Sequence, residues 1–140
     1  MNSQYMCLNC GEVFNSSYLN TEYDSDMIRC PKTNCPGWMI EVDELMIPTI
    51  KTLNEKGYLT KHCCSGHYTQ YTPQQAYISF LEGIDIPSVP SDFKKEIDDD
   101  GCVTIRKDFS SGKDTFKVFN DICDNAKILL KWADNLPSWD

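Results

Sequence analysis

The chain has 140 residues, of which 41% are hydrophobic, and its 21 acidic side chains outnumber 13 basic ones for a formal net charge of −8. That length and apolar content suit one compact domain, or a domain with a small appendage, and exclude a disordered or fibrous chain. The acidic balance makes nucleic acid an unfavourable partner, because phosphate binding needs clustered Lys and Arg.

From the first residue, MNSQYMCLNCGE shows neither the basic patch nor the apolar stretch of an export signal. No apolar run reaches the roughly 18–20 residues of a membrane span, so no membrane association is expected. Eight cysteines would suit a disulfide framework in an exported chain. Their knuckle-like spacing points instead to metal in a reducing compartment, and a cytoplasmic protein is the expectation.

Residues 1–40 hold two such knuckles. Cys7-Leu8-Asn9-Cys10-Gly11 is C-x2-C-G, and Cys30-Pro31-Lys32-Thr33-Asn34-Cys35 is a longer C-x4-C. Four thiolates in two pairs suit tetrahedral Zn²⁺, a borderline-soft ion that favours sulfur. Gly11 fits the tight turn in which backbone amides point at sulfur. Between the knuckles, Val13-Phe14 and Met27-Ile28 flank a polar middle, which predicts a hairpin. Four unrelated thiols are the plainer alternative, but a segment below about 40 residues seldom stabilises itself by burial alone. With Cys7, Cys10, Cys30 and Cys35 all ligating, no coordination position stays open, so the zinc is structural. The segment resembles zinc ribbons and rubredoxin-like knuckles, which bind nucleic acid or protein or only stabilise a terminus.

Residues 41–140 read as a small α/β unit, giving an α+β chain: a zinc ribbon followed by a small mixed sheet packed against two or three helices. Val42, Leu45, Met46, Ile50 and Leu53 fall at helical spacing, with Asp43 as cap and Gly57 as stop. Pro48 argues for a later start or for a kink there. Tyr58–His62 and Ala76–Leu81 read as strands around a polar loop. Ser91 to Ile97 reads as a short helix ended by Asp98-Asp99-Asp100-Gly101, a turn or a divalent-cation ligand set. Cys102–Arg106 is a third strand. The apolar stripe Phe116, Phe119, Ile122, Cys123, Ala126, Leu129, Leu130 and Ala133 predicts a long helix, capped by Ser110 or Ser111 and ended at Leu136-Pro137. Cys102 and Cys123 read as small core residues.

The stretch KHCCSGH, residues 61–67, holds both histidines of the chain. Four readings compete. His62, Cys63, Cys64 and His67 offer four donors for a second metal, although neighbours on a strand point to opposite faces. Cys63 or Cys64 beside a histidine offers thiol chemistry. A strand end closed by Ser65, Gly66 and His67 offers backbone N–H groups, a hydroxyl and an imidazole to a small-molecule ligand or a partner, with His62, Cys64, Ser65, Gly66 and His67 as contacts. Finally, a cysteine can fill the core while Ser-Gly turns and the histidines stay in water.

Tyr58-Leu59-Thr60-Lys61-His62-Cys63-Cys64-Ser65-Gly66-His67 also resembles the tRNA wybutosine-synthesising methyltransferase family, whose strand and loop end in Ser-Cys-Ser-Gly-Arg, with His67 here in place of the arginine. The resemblance spans residues 44–81. It implies an S-adenosylmethionine-dependent RNA-modifying enzyme in which Cys64, Ser65 and Gly66 carry over. The reading that the residues themselves favour is a small cytoplasmic zinc-ribbon protein that acts by binding a protein partner through the CCSGH loop. An acidic protein of this size suits a regulator or inhibitor of a basic partner, of the kind that a phage or mobile element encodes.

Overall fold

A computed structural model describes residues 3–7, 9–15, 28–32, 34–66, 74–109 and 114–139. Within them lie two four-stranded sheets and two helices, an α+β arrangement. All pairings described are antiparallel, where a mixed sheet was expected.

The first sheet is built on β1 (Ser3–Cys7) and β4 (Trp38–Asp43), paired along their whole length from Ser3 with Asp43 to Cys7 with Met39. On the outer side of β1 lies β2 (Val13–Asn15), and on the outer side of β4 lies β3 (Ile28–Arg29). Val13 thus faces Met6, while Ile28 faces Met39. The two runs expected to form a hairpin with each other stand at opposite edges, because each finds its partner in the long central pair. Met27 lies outside the described residues.

Val42, read from its spacing as helical, is the buried end of β4. A single 3-10 turn, Glu44–Met46, then leads into α1 (Ile47–Glu55). Pro48 sits in the first turn of α1, where its missing N–H removes nothing that the helix would use. Asp43 makes no capping bond; its carboxylate has another task, described below. Gly57 ends the segment at φ +94°, a left-handed conformation that favours glycine.

The second sheet has the order β5 (Thr60–Cys64), β6 (Gln74–Phe80), β8 (Val103–Phe109), β7 (Lys94–Ile97). Strand β7 replaces the short helix expected at residues 91–97. Asp92 takes φ +67° and Phe93 is buried, which breaks any helical start. Lys94 to Ile97 then pair with Arg106 to Val103, and Glu96 receives Arg106 Nη2 at 2.9 Å across the pair. The acidic turn is occupied by its own backbone: Asp98 Oδ1 accepts from Asp100 N at 3.0 Å and Cys102 N at 2.9 Å. Lys61 Nζ reaches Asp98 Oδ2 at 3.2 Å. The Cys102 N–H, then Lys61, hold the Asp98 carboxyl below the usual carboxylate range.

Helix α2 (Thr115–Asn135) is capped by Asp114, whose carboxylate accepts from Lys117 N at 3.1 Å. Ser110 and Ser111 lie outside the described residues. Val118, Ile122, Leu129 and Ala133 are the buried positions of its apolar stripe. Phe116 and Phe119, expected on that stripe, are instead 82% and 42% exposed. Cys102 is buried and Cys123 half-buried. One core joins both sheets and both helices, from Met6 and Val42 through Ile50, Ile78 and Ile105 to Leu129.

The ends of the two helices are tied together by one lysine. Lys56 Nζ donates to the carbonyls of Ala133 (2.9 Å), Asp134 (2.7 Å) and Leu136 (2.7 Å), where α2 ends and its last carbonyls have no further helical turn to bond. Trp139 N returns a bond to Lys56 O at 2.7 Å, and Tyr58 donates its hydroxyl to Pro137 O at 2.6 Å. Replacing Lys56 with Met keeps the stem and removes all three donors. Urea denaturation is expected to show a loss of about 1–2 kcal/mol at unchanged slope.

Candidate metal centre

Cys7 ends β1, Cys10 follows in a tight turn, Cys30 follows β3, and Cys35 precedes β4. Their four sulfur atoms lie within 4.8 Å of one another. Cys7 Sγ is 3.7 Å from Cys35 Sγ, and Cys10 Sγ is 3.8 Å from Cys30 Sγ. A tetrahedral ion with metal–sulfur bonds of about 2.3 Å requires sulfur–sulfur edges of about 3.8 Å. The cluster therefore fits a metal, and its sulfurs are far too distant for disulfides.

The backbone prepares these sulfurs for negative charge. Cys7 Sγ accepts from the N–H groups of Asn9 (3.3 Å) and Cys10 (3.4 Å). Cys35 Sγ accepts from Asn9 Nδ2 at 3.6 Å. The Gly37 N–H and then the Asn9 amide draw the Cys35 thiol down to about 6. Burial pushes Cys30 up to about 12 and raises Cys7 as well. Four thiolates this close repel one another, and a dication at their centre removes the conflict.

The turns need their unusual residues. Gly11 has φ +75° and Asn34 φ +66°, each in a knuckle. Gly37 is buried because a side chain there has no space: a Cβ would overlap Cys7 Sγ and stand 2.7 Å from the Asn9 Cβ. Gly37→Ala is accordingly expected to weaken metal binding at least about ten-fold in competition with a chromogenic chelator. Unchanged affinity would mean that the sulfurs do not meet as described.

The CCSGH stretch is placed differently from the cysteine cluster. In the register of β5 on β6, Cys63 stands opposite Ile78 and packs against the core, while Cys64 stands opposite Tyr77. The two thiols thus lie on opposite faces, which disfavours joint ligation. Among the described residues no group of three metal-binding side chains includes either one. Burial, opposed by the Gly66 N–H, raises the Cys64 thiol, the reverse of what a nucleophile needs.

Ser65 is buried, and both its N–H (2.7 Å) and its hydroxyl (2.9 Å) donate to Asp43 Oδ2. Gly66, at φ +112°, is buried too, and a Cβ there would lie 2.9 Å from Phe109 Cζ and 3.2 Å from Ile122 Cγ1. Ser65 thus pins the end of β5 to the end of β4, and Gly66 lets it pack closely on β8 and α2. His62 is exposed, and His67 lies outside the described residues. Beside the stretch is a small polar recess of ≈ 200 Å³ lined by Asp43, His62, Cys63 and Tyr77. Sequence spacing gave no hint of Asp43 or Tyr77 here, since both are brought in from other strands.

No family model, no curated protein and no solved structure matches the chain. The methyltransferase resemblance accordingly has no support beyond its motif, whose Ser65 and Gly66 are engaged in packing. No described helix is long and apolar enough to cross a membrane.

Proposed function

We propose that the protein is a small binding module whose N-terminal sheet is held by a structural Zn²⁺ on Cys7, Cys10, Cys30 and Cys35. The convergence of four sulfurs at tetrahedral distances carries this reading. All four ligands come from the chain, so the ion has no position left for substrate and works by fixing the fold. Iron would also fit four sulfurs, but zinc is the redox-silent ion suited to a structural site in a reducing compartment.

Recognition of a protein partner is assigned to the recess beside CCSGH, where His62 is the exposed side chain and Asp43 and Tyr77 supply the walls. The net charge of −8 favours a basic partner, in keeping with a regulatory or inhibitory role in the cytoplasm. S-adenosylmethionine draws no support from this geometry, because the Ser65 N–H and hydroxyl are both taken by Asp43.

Metal analysis is expected to give one zinc per chain in the wild type and in Cys64→Ser, and none in Cys30→Ser. A lower zinc content in Cys64→Ser would point to a second site in KHCCSGH and against this assignment. His62→Ala should keep its zinc and its melting temperature yet fail to retain the partner that the wild type captures from native cytosol. Retention equal to the wild type would remove the recess from the interface.

A further inference from the structure

We infer that the groove between the 88–91 loop and the second half of α2 binds a small amphipathic carboxylate: a molecule with one apolar or aromatic body and one anionic head. The site shares no residue with the cysteine cluster or with the recess beside CCSGH, and it does not depend on either assignment.

The cavity measures ≈ 430 Å³ and is walled mainly by Val89, Pro90, Ile128 and Trp132, with Ser88 and Lys131 at its margin. That volume falls within the roughly 300–1,000 Å³ of small-molecule sites. Its walls are set before any ligand arrives. Pro90 is buried, Phe93 N donates to Pro90 O at 3.1 Å, and Trp132 Nε1 donates to Ser88 Oγ at 3.0 Å. The last bond satisfies the indole N–H, so the ring can act as an apolar wall without an orphaned donor. Val89, meanwhile, keeps 36% of its surface exposed. A preformed apolar wall avoids much of the ordering cost of binding.

The sign of the ligand follows from Lys131. Lys32, Lys61, Lys95, Arg106 and Lys117 are in ion pairs. Lys56 and Lys107 spend their ammonium groups on the Ala133 carbonyl and the Asn125 amide oxygen. Lys51, Lys94, Lys127 and Lys131 have no such partner among the described residues, and of these four Lys131 is the one that lines this cavity. An unpaired ammonium at the rim of an apolar cavity matches a ligand with one negative charge beside an apolar body. A carboxylate meets that need with a single charge, whereas a phosphate monoester would bring about two charges against one cation.

The test uses the full-length, zinc-loaded, ¹⁵N-labelled protein titrated with 4-phenylbutyrate and, separately, with the neutral 4-phenylbutanol. Amide shifts are expected at residues 88–91 and 128–132 and at the Trp132 indole N–H. The carboxylate should bind about three- to ten-fold more tightly than the alcohol, as one partly exposed ion pair allows. Lys131→Met should erase that difference and leave the alcohol's affinity unchanged, with the spectrum itself reporting that the fold is intact. Absence of shifts, shifts centred elsewhere, or a carboxylate preference that survives in Lys131→Met would each overturn the assignment.

Discussion

The first sheet depends on four sulfur atoms being brought to about tetrahedral distances from sequence positions up to 28 residues apart. Cys7 ends β1 and Cys35 shortly precedes β4, so one ion held by the cluster would fix the pair on which β2 and β3 are added. Strands of two and three residues at the edges bury too little to hold themselves. A metal held by the cluster would supply the missing stabilisation, and the strict local geometry that it needs is visible in the left-handed Gly11 and Asn34 and the side-chain-free Gly37.

That sheet is joined to the rest by shared core and by one carboxylate. Met6 and Val42 are buried with Ile50 and Ile78, so the cysteine-bearing sheet and the second sheet stabilise each other. Asp43 extends the connection, holding Ser65 through two bonds to a single oxygen. A buried carboxylate with two donors costs little when paired and much when a partner is removed. Lys56 does the corresponding work at the other end, where α1, α2 and the last residues meet.

Much of this was legible in the sequence, and the reasons are local. Paired cysteines at short spacing announce a metal site because the ligands themselves carry the signal. Pro48 pointed to a late start or a kink, and α1 shows the late start, while the stripe of α2 was plain at Ile122, Leu129 and Ala133. What failed was decided by distant contacts. Val42 fits a helical period and a strand equally well, and its pairing with Gln4 settles the matter. Residues 94–97 are a strand because β8 offers an open edge, which their own composition does not reveal. Phe116 and Phe119 match the apolar period yet stay exposed. KHCCSGH looked like chemistry because reactive residue types cluster there. Much of it is spent on packing: Cys63 on the core, Ser65 on Asp43, and Gly66 beneath Phe109 and Ile122.

The central claim is that one metal ion sits among Cys7, Cys10, Cys30 and Cys35. X-ray absorption at the zinc edge of the purified protein tests it most directly. The account predicts a first shell of four sulfur atoms at about 2.3 Å with no nitrogen or oxygen neighbour. A shell containing imidazole or water, or protein folded without bound zinc, would contradict it.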